Sequence, residues 1–223
     1  MNYLILDTET ANGLDCPLVY DIGWIVFDEE GTILEMRSYV VADIFLNKEM
    51  MTSAYYEDKI EQYITDIDNG ERVMRKFSSI KRELTKTMNK YNIEAVIAHN
   101  VRFDYRSCQT TQRYLTKSKQ RFFFPYDTHF IDTLEMAKTT YRYNEDYNAF
   151  CQQNGYCYGK NNDIPRFTAE ILTRYFTGNN NFKECHTGLE DCIIEMEIFF
   201  RCLRAGTKPH YLWGKIPTAT EEG

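Results

Sequence analysis

A chain of 223 residues that is 43% hydrophobic and 15% aromatic is large enough for one sizeable core, and suits one large domain better than two small ones. Its formal net charge of −7 argues against a broad phosphate-binding face, while acids gathered around bound cations would change the sign locally. No apolar run reaches the roughly 18 residues that cross a membrane, and "MNYLILDTETANG" lacks the basic flank and long apolar core of a signal peptide. A soluble, cytoplasmic (intracellular) protein with no membrane partner is expected. Seven cysteines, odd in number and without a C-x-x-C spacing, suggest free thiols rather than a disulfide framework or a zinc ribbon.

In chain order, "NYLILD" is an apolar strand, and Leu18 to Val41 is an antiparallel hairpin turning at "DEEG". Residues 42 to 70 carry no readable period. From Arg72 to Tyr91, apolar Val73, Phe77, Ile80, Leu84 and Met88 recur every three or four positions and predict one amphipathic helix with a basic outer face. Ala95 to Ala98 reads as a short buried strand, after which Asn100 is placed to cap a helix running to about Thr116. "FIDTLEMAK" suggests a further strand-to-helix passage. Residues 141 to 165 suggest short helices and loops. "RFTAEILTRYFTG" predicts a helix ended by Gly178, and Gly188 to Leu203 a long one. Strands come first and helices alternate later, so the expected architecture is an α/β sheet covered by helices.

Three places carry chemistry. In "LILDTET", Asp7 and Glu9 are one residue apart at the end of a strand, and the period of two points both carboxylates to one side. Such neighbours repel unless a hard cation sits between them or one takes a proton. D-x-E arises often by chance in a chain with 33 acids, so this pattern is weak alone. Asp104, in "AVIAHNVRFDYRS", falls in the first turn of a helix, where an acid ordinarily serves only the helix dipole. In "ECHTGLEDCIIEMEIFFRCLRAG", Thr187 to Glu190 fits a capping box, which leaves His186 in the loop just before the helix. Leu189, Ile193, Met196, Phe200 and Leu203 form the expected main core stripe, with Asp191, Ile194 and Ile198 on a second buried one. Glu190, Glu197, Arg201 and Arg204 share the polar side. Taken alone, His186 is a surface or capping histidine.

Together, "LDTET", "AHNVRFD" and "HTGLED" resemble, in order and context, the three motifs of the DEDD superfamily of 3′ to 5′ exonucleases. His186 five residues before Asp191 matches the histidine branch, DEDDh, whereas the tyrosine branch carries Tyr where this chain has Thr187. The resemblance spans about Asn2 to Leu203 and implies a ribonuclease H-like mixed sheet, an antiparallel hairpin plus parallel strands, flanked by helices. It divides the chain into an exonuclease domain, 1–205, and a carboxyl-terminal tail, 206–223. Gly188 stands where the family usually has Ala, a change expected to loosen the helix entry slightly. Asp21 and Asp132 are taken as structural acids.

The resemblance implies two Mg²⁺ or Mn²⁺ ions, with Asp7 bridging them, Glu9 and Asp191 holding the one that activates water, Asp104 supporting the other, and His186 as general base. It also places the terminal nucleotide against the Thr10 backbone and Asn100, while Phe103 packs on the site or fills the core. The implied activity is stepwise hydrolysis of DNA 3′ ends to nucleoside 5′-monophosphates, in proofreading or repair. Trimming of RNA 3′ ends and a non-catalytic nucleic-acid-binding or replisome-scaffold domain are the alternatives. Arg113, Lys117, Lys119 and Arg121 beside Tyr114 suit a single-strand backbone track or a solvated helix end. Tyr211, Leu212 and Trp213 in the tail suit docking of a polymerase or replisome subunit, or packing on the chain's own domain.

Overall fold

Strand β1 (Asn2–Ala11) alternates its side chains between two apolar environments, and β2 (Leu18–Asp28) is buried along nearly its whole length. That is the pattern of strands covered on both faces. The computed structural model describes residues 1–54, 56–117 and 122–213. Strands β2 and β3 (Ile33–Val41) make the expected antiparallel hairpin, β1 pairs antiparallel with β2, and β5 (Ile93–Ala98) lies parallel to β1. The six-stranded sheet is completed by β4 (Val73–Arg75) and β6 (Phe130–Asp132), in the order β4-β3-β2-β1-β5-β6.

The unreadable stretch forms short helices α1 (Ala42–Phe45) and α2 (Lys48–Met51), a single 3₁₀ turn, and α3 (Ile60–Asp68). The helix expected from Arg72 instead begins at Phe77 as α4 (Phe77–Tyr91), because Val73 to Arg75 pair with Tyr39 to Val41 on the open edge of the sheet. Ladder bonds offered by that edge outweigh a periodicity that three residues scarcely define, and Val73 is exposed. Asp43 then caps α4 by accepting the Phe77 amide at 2.7 Å.

Helix α5 (Val101–Leu115) follows β5, α6 (Thr133–Tyr141) follows β6, and α7 (Glu145–Gln153), the small ribbon β7 (Cys157–Tyr158) and β8 (Ile164–Pro165), α8 (Ala169–Thr177) and α9 (Gly188–Arg204) complete the chain. Leu4, Leu6, Trp24 and Val26 meet α4 and α5 on one face, and Tyr3, Ile5, Ile25 and Phe27 meet α6, α8 and α9 on the other. Period-two alternation along β1 therefore sends Asp7 and Glu9 toward α9.

The stripe expected on α9 is displaced. Asp191, Cys192, Glu195, Ile198, Phe199 and Cys202 are buried, while Ile193 is 47% exposed. The helix is rolled so that its acid-bearing face meets the sheet. All seven cysteines are free thiols. Of the tail, Tyr211 bridges to Ile131, the Leu212 amide donates to Phe130, and Trp213 lies edge-on to Tyr105 and Phe130, so this aromatic stretch packs on its own domain. Residues 214–223, with Lys119 and Arg121, lie outside the described residues.

Candidate active site

One cavity of about 490 Å³ is lined by Asp7, Glu9, Asp104, His186 and Asp191, and also by Thr10, Asn100 and Phe103. It opens where parallel β1 and β5 run toward their carboxyl ends, beside a register shift between Glu9 and Thr10. Asp104 comes from the other side of the sheet, in the first turn of α5, and the Thr8 hydroxyl holds it by donating to its Oδ1 at 2.8 Å. Period two thus divides the work: Asp7 and Glu9 face α9, while Thr8 between them reaches toward α5.

The start of α9 is fixed by backbone contact. An ideal Cβ on Gly23 would lie 2.2 Å from the Leu189 nitrogen, and one on Gly188 would lie 2.6 Å from the Gly23 nitrogen and 2.9 Å from the Asp7 carbonyl oxygen. Gly188 therefore does not loosen the helix entry as expected; its missing side chain lets the helix sit directly on Asp7 and Gly23, which are opposite each other in the β1–β2 register. Buried Asp21 completes the anchor, its Oδ2 accepting the Gly188 amide at 2.9 Å and the Tyr63 hydroxyl at 2.7 Å, with Arg72 at 3.8 Å. Asp132 also has a structural task, accepting the Leu134 and Asn100 amides at the β6–α6 turn.

Two expected caps differ in detail. Asn100 occupies the position before α5, but in the left-handed region (φ 68°) and without a side-chain cap; its amide is spent on Asp132. Thr187 meets the Glu190 carboxylate through its hydroxyl at 2.6 Å, while its amide donates to Asp191 Oδ2 at 3.2 Å. Asp191 thus secures the helix entry with one oxygen and leaves Oδ1 buried without a partner.

His186 lies in the loop before α9 at φ 52°, a left-handed conformation rare for a residue with a side chain, and its ring stacks on Tyr56 with centroids 3.9 Å apart. Ligand atoms of Glu9, His186 and Asp191 all lie within 4.8 Å of one another, close enough to share one cation. Asp7 and Asp104 stand beside this trio rather than in it. Phe103 belongs to neither buried cluster and forms cavity wall, so the core reading of that residue gives way.

Burial, with the crowding of like charges, dominates the electrostatics. It raises Asp7 and Glu9 well above the ordinary carboxylate range; next in effect are Glu195 on Asp7 and Asp191 on Glu9. Asp104 and Asp191 are each pushed up to about 7 by burial, against the opposing hydrogen bonds of Thr8 and the Thr187 amide. Burial lowers His186, which favours a neutral ring able to accept a proton. Asp7 Oδ2, Asp191 Oδ1 and Glu195 Oε2 are buried with no hydrogen-bond partner. Orphaned acid oxygens around one cavity suit a hard divalent cation, so the residues present fit the metals that the motifs imply.

Sequence reasoning missed several residues of this cavity. Glu195 was legible as the acid four positions after Asp191, one helical turn along the same face. Glu184 gathers with Glu170 and His186 in a second group of ligand atoms within 4.8 Å, and burial with its acidic neighbours pushes it up to about 8. His99, half-buried in the cavity wall, has both ring nitrogens engaged: Nδ1 meets Thr133 at 3.0 Å, Nε2 meets the Phe167 carbonyl at 2.7 Å, and burial lowers its pKa to about 4. Tyr158 from the small ribbon, Arg166 just after it and Lys138 from α6 enter the wall, where no local pattern announced them.

Against known structures, the chain matches a full-length 3′-exonuclease with a TM-score of 0.57 at 11% identity, over 94% of this chain and 84% of that one. The chain shares the fold of that exonuclease. Exonuclease I without ligand matches with a TM-score of 0.53 at 15% identity, over 88% of this chain and 40% of that one. E. coli Exonuclease I in complex with a dT13 oligonucleotide matches with a TM-score of 0.50 at 15% identity, over 92% of this chain and 41% of that one. The chain therefore spans about two fifths of the Exonuclease I chains, and the mixed sheet flanked by helices is the ribonuclease H-like one the motifs imply. No family model matches the sequence, and no curated protein does. Among the described residues, no helix is long and apolar enough to cross a membrane.

Proposed function

We propose that the chain is a metal-dependent 3′ to 5′ exonuclease of the histidine branch of the DEDD superfamily, removing nucleoside 5′-monophosphates from DNA 3′ ends. The observation that carries this reading is the convergence of Asp7, Glu9, Asp104, His186 and Asp191, from three separate parts of the sequence, on one cavity. Exonucleases among the structural neighbours, one of them bound to dT13, support it.

Asp7, Glu9, Asp104 and Asp191 would hold two Mg²⁺ or Mn²⁺ ions. When bound, such ions supply a nucleophile near neutral pH and charge for the departing 3′ oxygen. The chain's own residues do the rest. Thr8 fixes the rotamer of Asp104, and the Thr187 amide fixes that of Asp191. His186, a neutral imidazole in the loop over the start of α9, takes the proton of the attacking water. Thr10, Asn100 and the Phe103 ring receive the terminal nucleotide, with Phe103 offering a stacking face for its base.

Labelled DNA and RNA oligomers, incubated with Mg²⁺ and with EDTA, test the reading. Stepwise shortening of DNA in Mg²⁺ alone is expected. Preference for RNA would move the substrate class to exoribonuclease, and inertness toward both would leave a binding domain.

A further inference from the structure

Glu195 has no role in the four-carboxylate site just described. It is 4% exposed, sits one turn beyond Asp191 on the face of α9 that meets the sheet, and lines the same cavity as Asp7 and Asp104. Its Oε2 has no hydrogen-bond partner, as Asp7 Oδ2 has none. The residues that follow on this face are Ile198, Phe199 and Cys202, so an apolar side chain would suit the position. A buried carboxylate oxygen without a partner is costly, and no folding benefit accounts for it.

We infer that Glu195 is a fifth metal-holding carboxylate of this chain, binding a divalent cation together with Asp7. The inference rests on the metal-dependent reading of the site. Position supports it first: helical spacing carries Glu195 along α9 from the trio of Glu9, His186 and Asp191, and the His99 backbone amide, at the end of β5, steadies its carboxylate. It therefore lies between the ends of β1 and β5. Electrostatics agree, for among neighbouring charges Glu195 acts most strongly on Asp7, and after its own burial the acids Asp104, Asp191 and Glu184 act on Glu195. A cation between Asp7 and Glu195 gives both orphaned oxygens a partner at once. The competing account is a permanently protonated Glu195 that donates a hydrogen bond to Asp7.

Glu195→Gln separates the two, because glutamine keeps the shape and a donor but cannot supply the charge. Mn²⁺ binding to the EDTA-stripped full chain, followed by electron paramagnetic resonance and by the melting temperature, needs no turnover. Ligation predicts that Glu195→Gln weakens Mn²⁺ binding by about ten-fold or more, in line with the loss of a group supporting a metal. Glu195→Leu, which leaves no polar atom at this position, should weaken it at least as much. A loss under about three-fold in both variants overturns the inference. If Asp7→Asn meanwhile loses Mn²⁺ strongly, the exonuclease reading stands without Glu195; if the wild-type chain binds no Mn²⁺, both fall.

Discussion

Gly23 gives the sharpest structural prediction. In Gly23→Ala the added Cβ would stand 2.2 Å from the Leu189 nitrogen, about 1.2 Å short of the 3.4 Å at which ordinary contact begins. The atoms it meets are the backbone of the first turn of α9, which cannot rotate aside, so the helix entry must shift by roughly 1 Å. Overpacking of this kind costs about 1–3 kcal/mol. For a chain of this size that lowers the melting temperature by about 2–12 °C. Asp191 and the His186 loop move with the helix entry, and a displacement of about 1 Å in a catalytic constellation costs on the order of 10²-fold in turnover. Differential scanning fluorimetry and cleavage of a single-stranded oligomer measure the two effects. Gly70→Ala is the control: its φ of +76° strains an added side chain, yet nothing lies within 4 Å of the new Cβ, so stability should fall while turnover stays. Wild-type turnover in Gly23→Ala would refute the claim that backbone contact at Gly23 positions the site.

Four further outcomes are expected. Mn²⁺ at 100 times its dissociation constant should stabilise the chain by about 2.7 kcal/mol, or roughly 5–11 °C in melting temperature, and Asp7→Asn should lose most of that gain; equal shifts in both proteins would remove Asp7 from the ligand set. Without metal, the buried carboxylates bind protons more tightly when folded than when unfolded, where they titrate near pH 4, so stability should fall as pH rises from about 4 to 7; a rise across that window in EDTA would contradict it. His186→Ala should lower turnover by about 10² to 10⁴-fold with metal affinity nearly unchanged, whereas Asp191→Ala should lose both, as metal titrations will show. In the pH–rate profile the His186→Ala enzyme should lose the acidic limb that the wild type owes to this histidine, which burial places below the ordinary value of 6.5.

Much of the fold was legible where one period ran long enough. The β2–β3 hairpin, the strand before Asn100, and helices α5, α8 and α9 follow from alternation, caps and the stop at Gly178. What escaped was decided by tertiary contact. Val73 to Arg75 joined a sheet edge that lies far away in sequence, and α9 rolled its acid-bearing face inward because Gly23 and Gly188 permit backbone contact there. The candidate site was legible because its acids stand in short ordered motifs, each weak alone. Glu195 carried the right helical spacing and went unread since no motif includes it, and Tyr56, which stacks on His186, is brought there by a loop with no period at all.

The central claim, a site that grips a free 3′ end, is tested most directly by a linear single-stranded DNA and its circular form of the same sequence, each incubated with the chain in Mg²⁺. A 5′ label on the linear strand should report a ladder shrinking from the 3′ side with release of nucleoside monophosphates, while the circle stays intact. Cutting of the circle at the rate of the linear strand would contradict the account.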